Sequence, residues 1–139
     1  MLTIEKYTDY RTLLKNTTTI AIVGLSPKES RPSNMVARYL IEAGYRVLPV
    51  NPGQECILGL RCYPRLTEIT ERIDMVNIFR RSEMVYPIAE DAVRIRAKAI
   101  WMQQGIVHPE AAAFAEKNGL EVVMDRCIKV EHMRIAATL

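Results

Sequence analysis

The segment that most constrains this chain is Thr19-Ile-Ala-Ile-Val-Gly24, a short, β-branched, continuously apolar run closed by glycine. Alternating polarity would mark a strand wet on one face, whereas an unbroken apolar run predicts a strand covered on both faces, the condition of a parallel sheet. Parallel neighbours need crossovers, and the rest of the chain supplies them. Ser33 to Ala43 places Val36, Tyr39, Leu40 and Ala43 at helical spacing, with Ser33 as N-cap and Gly44 as the C-terminal stop. Arg46-Val-Leu-Pro-Val50 reads as the second strand. Similar runs recur at Asp74-Met-Val-Asn-Ile-Phe79, Ala99-Ile-Trp-Met102 and Glu121-Val-Val-Met124, with amphipathic helical stretches near 84–97 and 109–118 between them. Such alternation specifies an α/β, Rossmann-like, doubly wound and mainly parallel sheet with helices on both faces. Cys56 to Tyr63, bracketed by Gly59 and Pro64, has length only for a short edge strand, which leaves five or six strands open. An N-terminal helix around Ile4 to Asn16 is expected to pack on one edge. With 139 residues and no linker or repeat, a single domain over 1–139 is expected, residues 1–17 being that helix.

Composition narrows the function. Hydrophobic residues at 49% and charged residues at 25% are ordinary for a globular chain. The longest strongly apolar run, Ile20 to Leu25, falls far short of the ~20 residues of a spanning helix, and the start has no signal-peptide core. A cytoplasmic protein without a membrane partner is expected. The net charge of +3 is small, and the Lys and Arg residues are spread among nearly as many acids, so no nucleic-acid partner is indicated. A DNA-binding regulator would need a recognition helix with a basic face, and the N-terminal stretch has only Lys6, Arg11 and Lys15. Cys56, Cys62 and Cys127 form no Cys-x-x-Cys pair and the two histidines are not paired at ligand spacing, which predicts reduced thiols and no metal.

Open α/β sheets take ligands at the carboxyl ends of their strands. The segments just after the strands are basic or polar: Gly24-Leu-Ser-Pro-Lys-Glu-Ser-Arg-Pro-Ser33, Asn51-Pro-Gly53, Arg80-Arg-Ser82, Gln103-Gln-Gly105 and Asp125-Arg126. Lys28, Arg31, Arg80 and Arg126 are expected to converge on one anion, and a glycine turn leading into a helix start adds backbone donors and the positive end of a helix dipole. The natural inference is a phosphorylated ligand. An NAD site usually places an acid at the end of the second strand, where this chain has Asn51-Pro52; an NADP site would place an arginine nearby, but none lies between Arg46 and Arg61. The first turn also reads Gly24-x-Ser26-Pro27 rather than G-x-G-x-x-G.

These residues resemble the small stand-alone CoA-binding proteins, which are similar to the CoA-binding domain of the succinyl-CoA synthetase alpha subunit and of ADP-forming acyl-CoA synthetases. The resemblance runs through Ala21-Ile-Val-Gly-Leu-Ser-Pro-Lys28, Arg31-Pro-Ser33, Val36-Ala-Arg-Tyr-Leu40, Gly44 to Pro52, Asp74 to Arg80, Trp101-Met-Gln-Gln-Gly-Ile106 and Met124-Asp-Arg-Cys127. It implies a module holding CoA by its 3′-phospho-ADP part, with Gly24, Ser26, Pro27, Lys28, Arg31 and Ser33 on the phosphates and Asn51, Pro52, Phe79, Arg80 and Gln103 beside the nucleotide. The synthetases' phosphohistidine lies in a later domain that this sequence does not contain, so no synthetase chemistry is implied. His108, succeeded by Pro109 and Glu110, reads as a helix start, and His132 as a packing or surface residue. Cys127 is expected to be buried, as free cysteines commonly are. The expectation is a non-catalytic carrier, sensor or adaptor whose protein partner is unknown. The alternative is an enzyme using NADP or acyl-CoA on the same fold, its base drawn from His108, Asp125 or Glu131, for which no nucleophile–base–orienter set stands out.

Overall fold

The computed structural model describes residues 10–139. In chain order the elements are α1 (Arg11–Lys15), β1 (Thr19–Val23), α2 (Pro32–Glu42), β2 (Arg46–Val50), β3 (Cys56–Ile57), β4 (Leu60–Arg61), β5 (Met75–Ile78), α3 (Val85–Arg94), β6 (Ala99–Met102), α4 (Pro109–Lys117), β7 (Glu121–Val123) and α5 (Ile128–Ile135). Five strands form one parallel sheet in the order β2-β1-β5-β6-β7. The apolar runs become strands because each is buried on both faces. All of β1, β5 and β6 is inaccessible to solvent or nearly so.

On one face Ala21, Val23, Val76, Ile78, Ile100 and Met102 pack under α3 and α4, whose Ala89, Ala92, Ala111 and Ala115 let the helices lie close to the sheet. On the other, Ile20, Ile22, Met75 and Trp101 pack under Leu14 of α1, Val36 and Leu40 of α2, and Ile128 and Ile135 of α5. The helices therefore cover both faces, as the continuous apolar strands require.

Two sequence expectations are corrected. Cys56 to Tyr63 adds no strand to the main sheet; β3 and β4 pair antiparallel with each other, because positive φ at Leu58 (56°) and Gly59 (74°) reverses the chain after two residues. Tyr63 bridges this segment to Val50, with its N–H on Pro49 O at 3.0 Å and its carbonyl taking Asn51 N–H at 2.9 Å. The N-cap of α2 is Arg31, extended at φ −80°, ψ 143°, with Pro32 and not Ser33 opening the helix. Proline has no N–H to leave unpaired and a φ already suited to the first turn. Of the N-terminal helix expected over 1–17, residues 1–9 lie outside the described residues, and the remainder forms α1.

The connection from β1 runs to β2 on one side, while β5 lies on the other. Strand order therefore reverses between β1 and β5, which puts the ligand crevice of this architecture at the ends of those two strands.

Candidate functional site at the switch point

Gly24 ends β1 at that point. Its φ of +89° is a conformation that side chains rarely adopt, and a Cβ there would stand 2.7 Å from the Phe79 carbonyl oxygen at the end of β5. Hydrogen bonds lock the neighbouring strand ends together: Gly24 N–H donates to Val50 O at 2.9 Å and Phe79 N–H to Val23 O at 2.8 Å. Glycine is required here because two main chains touch.

The loop after Gly24 is held by its own polar groups. Ser26 N–H donates to Ser33 Oγ at 2.9 Å, Lys28 N–H to Ser26 Oγ at 3.1 Å, and Asn34 Nδ2 to Ser26 O at 2.9 Å. Asn51 Nδ2 donates to Leu25 O at 2.9 Å while its Oδ1 accepts Gly53 N–H at 3.0 Å. Ser33 and Asn51 thus shape the crevice with the side-chain atoms the sequence assigned to ligand. Gly24, Ser26, Arg31, Pro32, Ser33 and Phe79 enclose a polar hollow of about 260 Å³ at the start of α2. Pro27 and Lys28 are exposed on the loop beside it.

A second hollow, of about 380 Å³, opens beside β1 and β2 among Val23, Val50, Pro52, Pro64, Leu66, Met84 and Ile88. Arg80 lines it, and Arg65, ion-paired to Asp91 at 3.2 Å, closes its rim. Among the described residues Lys28, Arg31 and Arg80 enter no ion pair; Arg31 lines the polar hollow, Arg80 the apolar one, and Lys28 neither.

Two residues singled out from the sequence sit elsewhere. Gln103 is buried, and its Oε1 accepts the N–H of Ile128 at 3.1 Å, tying down the start of α5. Arg126 lines a third hollow, of about 490 Å³, with Tyr10, Gln104, Asp125, Cys127, Glu131 and Arg134. A hydrogen bond to Tyr10, more than any charge, holds its guanidinium above the ordinary pKa. Cys127 is half-buried and not enclosed as expected. His108 caps α4 through Nδ1, which accepts Ala111 N–H at 3.0 Å. His132 is buried with Nδ1 2.6 Å from the Tyr39 hydroxyl, and burial pushes its pKa below the ordinary value. Glu131, also buried, meets Arg134 at 3.3 Å. Sequence reasoning passed over Asn77, which is fully buried in β5 with neither amide atom hydrogen-bonded. A lone carboxamide inside an apolar strand was the available signal. Among the described residues there is no metal-binding cluster and no helix long and apolar enough to cross a membrane.

The reversal of strand order, with a polar and an apolar hollow beside it, defines a doubly wound α/β protein whose candidate crevice lies between β1 and β5. Residues 18–133 match the CoA binding domain family, and the chain belongs to that family. The uncharacterised protein YneT of Bacillus subtilis is 41% identical over 124 residues, 89% of this chain and 92% of its own. A hypothetical protein from Pyrococcus horikoshii has the same fold with a TM-score of 0.90 and 39% identity, covering 93% of this chain and 91% of that one. An ADP-forming acetate–CoA ligase of Archaeoglobus fulgidus is 28% identical over 127 residues, 84% of this chain but only 18% of the ligase.

The crevice suits CoA. Two phosphates and a 3′-phosphate need cations and donors, which Lys28, Arg31 and the start of α2 offer. An adenine ring needs apolar walls of the kind that Val50 and Pro52 provide.

Proposed function

We propose that this chain binds CoA by its 3′-phospho-ADP part and serves as a carrier, sensor or adaptor without chemistry of its own. The observation that carries the reading is the contact of Gly24 with Phe79 between a polar hollow with Arg31 and an apolar one with Arg80. In this reading Gly24 lets the ligand approach the main chain, while Ser26, Pro27 and Ser33 set the loop. Lys28 and Arg31 neutralise phosphate. Asn51 and Pro52 flank the adenine, Phe79 and Arg80 close over the nucleotide, and Gln103 acts through the start of α5. Bound CoA would supply a thiol able to carry an acyl group.

The side chains that could act as bases support a module, since most are engaged in the fold. Both imidazoles serve it, His108 as a helix cap and His132 against Tyr39, and Glu131 is held by Arg134. Calorimetry under reducing conditions should show CoA binding more tightly than NAD, since Asn51-Pro52, and not an acid, directly follows β2, where an acid would take the ribose hydroxyls. Tighter NAD binding would overturn the ligand. Hydrolysis or transfer of acetyl-CoA, lost in His108→Ala, would replace the module with an enzyme and make His108 its general base.

A further inference from the structure

We propose that the Arg65–Asp91 ion pair reads the edge of the adenine ring and selects adenine over other purines. The inference rests on the CoA reading above and deepens it from the nucleotide to the base. The polar and apolar hollows adjoin through consecutive residues: Gly24 and Phe79 line the first, Val23 and Arg80 the second. A ligand with its phosphates beside Arg31 can therefore lay a flat ring in the neighbouring hollow of about 380 Å³. Val50, Pro52, Pro64, Leu66 and Ile88 give that ring apolar walls.

Apolar walls hold a purine but do not tell one purine from another. Among the described residues, the charged side chains lining this hollow are Arg65, Arg80 and Asp91. Arginine donates and never accepts, so Asp91 is the side chain there that can accept a strong hydrogen bond. It projects from α3 toward the β4–β5 connection, where Arg65 Nη2 meets its two carboxylate oxygens at 3.3 and 3.2 Å. The Asp91 side chain is 13% exposed and that of Arg65 62%, which puts the acceptor inside and the donor at the mouth.

The pair has bonding capacity to spare. Arg65 reaches both oxygens through one nitrogen, which leaves its other N–H groups for a ligand. Arg94 Nη1 stands 3.6 Å from Asp91 Oδ1, beyond a good hydrogen bond, so the carboxylate keeps lone pairs as well. On the outer edge of adenine the 6-amino group donates and the adjoining ring N1 accepts. An acceptor beside a donor is the complement of that edge, with Asp91 on the amino group and Arg65 on N1. Hypoxanthine and guanine carry the opposite pattern, a 6-carbonyl and an N1–H, which sets oxygen against carboxylate and N–H against guanidinium. Such a mismatch leaves paired polar groups without partners, the strongest form of discrimination a binding site has.

The test is competition calorimetry with CoA and its hypoxanthine analogue, which differ only on the outer edge of the base. The wild-type chain is expected to favour CoA by roughly tenfold or more, the effect of a lost hydrogen bond to a charged group. Asp91→Asn, whose carboxamide can accept or donate, should bring the two ligands to within about threefold of each other. Arg65→Ala should weaken CoA and narrow the preference. Equal affinities in the wild type, or a preference that both substitutions leave unchanged, would overturn the proposal and reduce the pair to a fastening of α3. The wild-type comparison reads without any variant having to fold. CoA binding with no preference for adenine removes the inference and leaves the CoA reading, whereas absence of CoA binding removes both.

Discussion

A methyl group at Gly24 would have to displace the main chain of β5 while also adopting a φ of +89°. Gly24→Ala is expected to cost about 1–3 kcal/mol in urea unfolding and to abolish CoA binding, because the loop cannot move without opening the crevice. Gly44→Ala is the control: its φ is +103°, but nothing lies within 4 Å, so it should lose only about 1 kcal/mol and keep the ligand. The unpaired cations carry a second expectation. Arg31→Ala and Arg80→Ala should each weaken CoA by about 1–3 kcal/mol in calorimetry if each makes a charge-assisted hydrogen bond, and unchanged affinity in both would return them to ordinary surface roles. His132 gives the fold a pH dependence. Burial holds its pKa below the usual 6.5, so the unfolded chain takes up a proton that the folded chain resists. The stabilisation is whole above pH 6.5 and is lost as pH falls through the lowered folded value. Urea midpoints should therefore drop on acidification through this window, and His132→Gln, which does not titrate there, should flatten the drop.

The start of α5 depends on a side chain from another strand. Gln103 reaches from the end of β6 to the Ile128 N–H, and Gln103→Ala would leave that buried donor without a partner. A loss of about 1–2 kcal/mol is expected, with faster amide exchange confined to the first turn of α5. This contact also marks the limit of what the residues disclose before folding. The strands were legible because burial on both faces is written locally, as unbroken apolar runs at Ile20–Val23 and Ala99–Met102. The α4 start was legible at His108-Pro109, where proline favours the first helical turn. The self-pairing of Cys56 to Arg61 was not, since it turns on a positive φ at Leu58, a residue with no propensity for it. Nor was the destination of Arg126, which local sequence leaves free and which Trp101 fixes through a contact 25 residues distant. The crevice was readable as a set of loops, but which loops meet was decided by strand order.

At the scale of the whole molecule, the proposed reading places the nucleotide and not the thiol end in the crevice, so ligands that share 3′-phospho-ADP should behave alike. CoA, acetyl-CoA and 3′-phospho-ADP are expected to bind within about tenfold of one another under reducing conditions, and each to raise the melting temperature with concentration. A larger preference for the acylated form in competition titration would mean that the thiol end sits in a shaped pocket. The bridge from Tyr63 to Val50 has a consequence for what happens between molecules. β2 is a border strand of the sheet, and a border strand is a template on which a foreign strand can align. Here Tyr63 already occupies the Pro49 carbonyl and the Asn51 N–H, and Pro49 has no N–H to offer. A neighbouring copy cannot lengthen the sheet across β2 without first evicting Tyr63 and its hairpin, so this margin is protected against runaway strand-to-strand aggregation even when the chain is crowded.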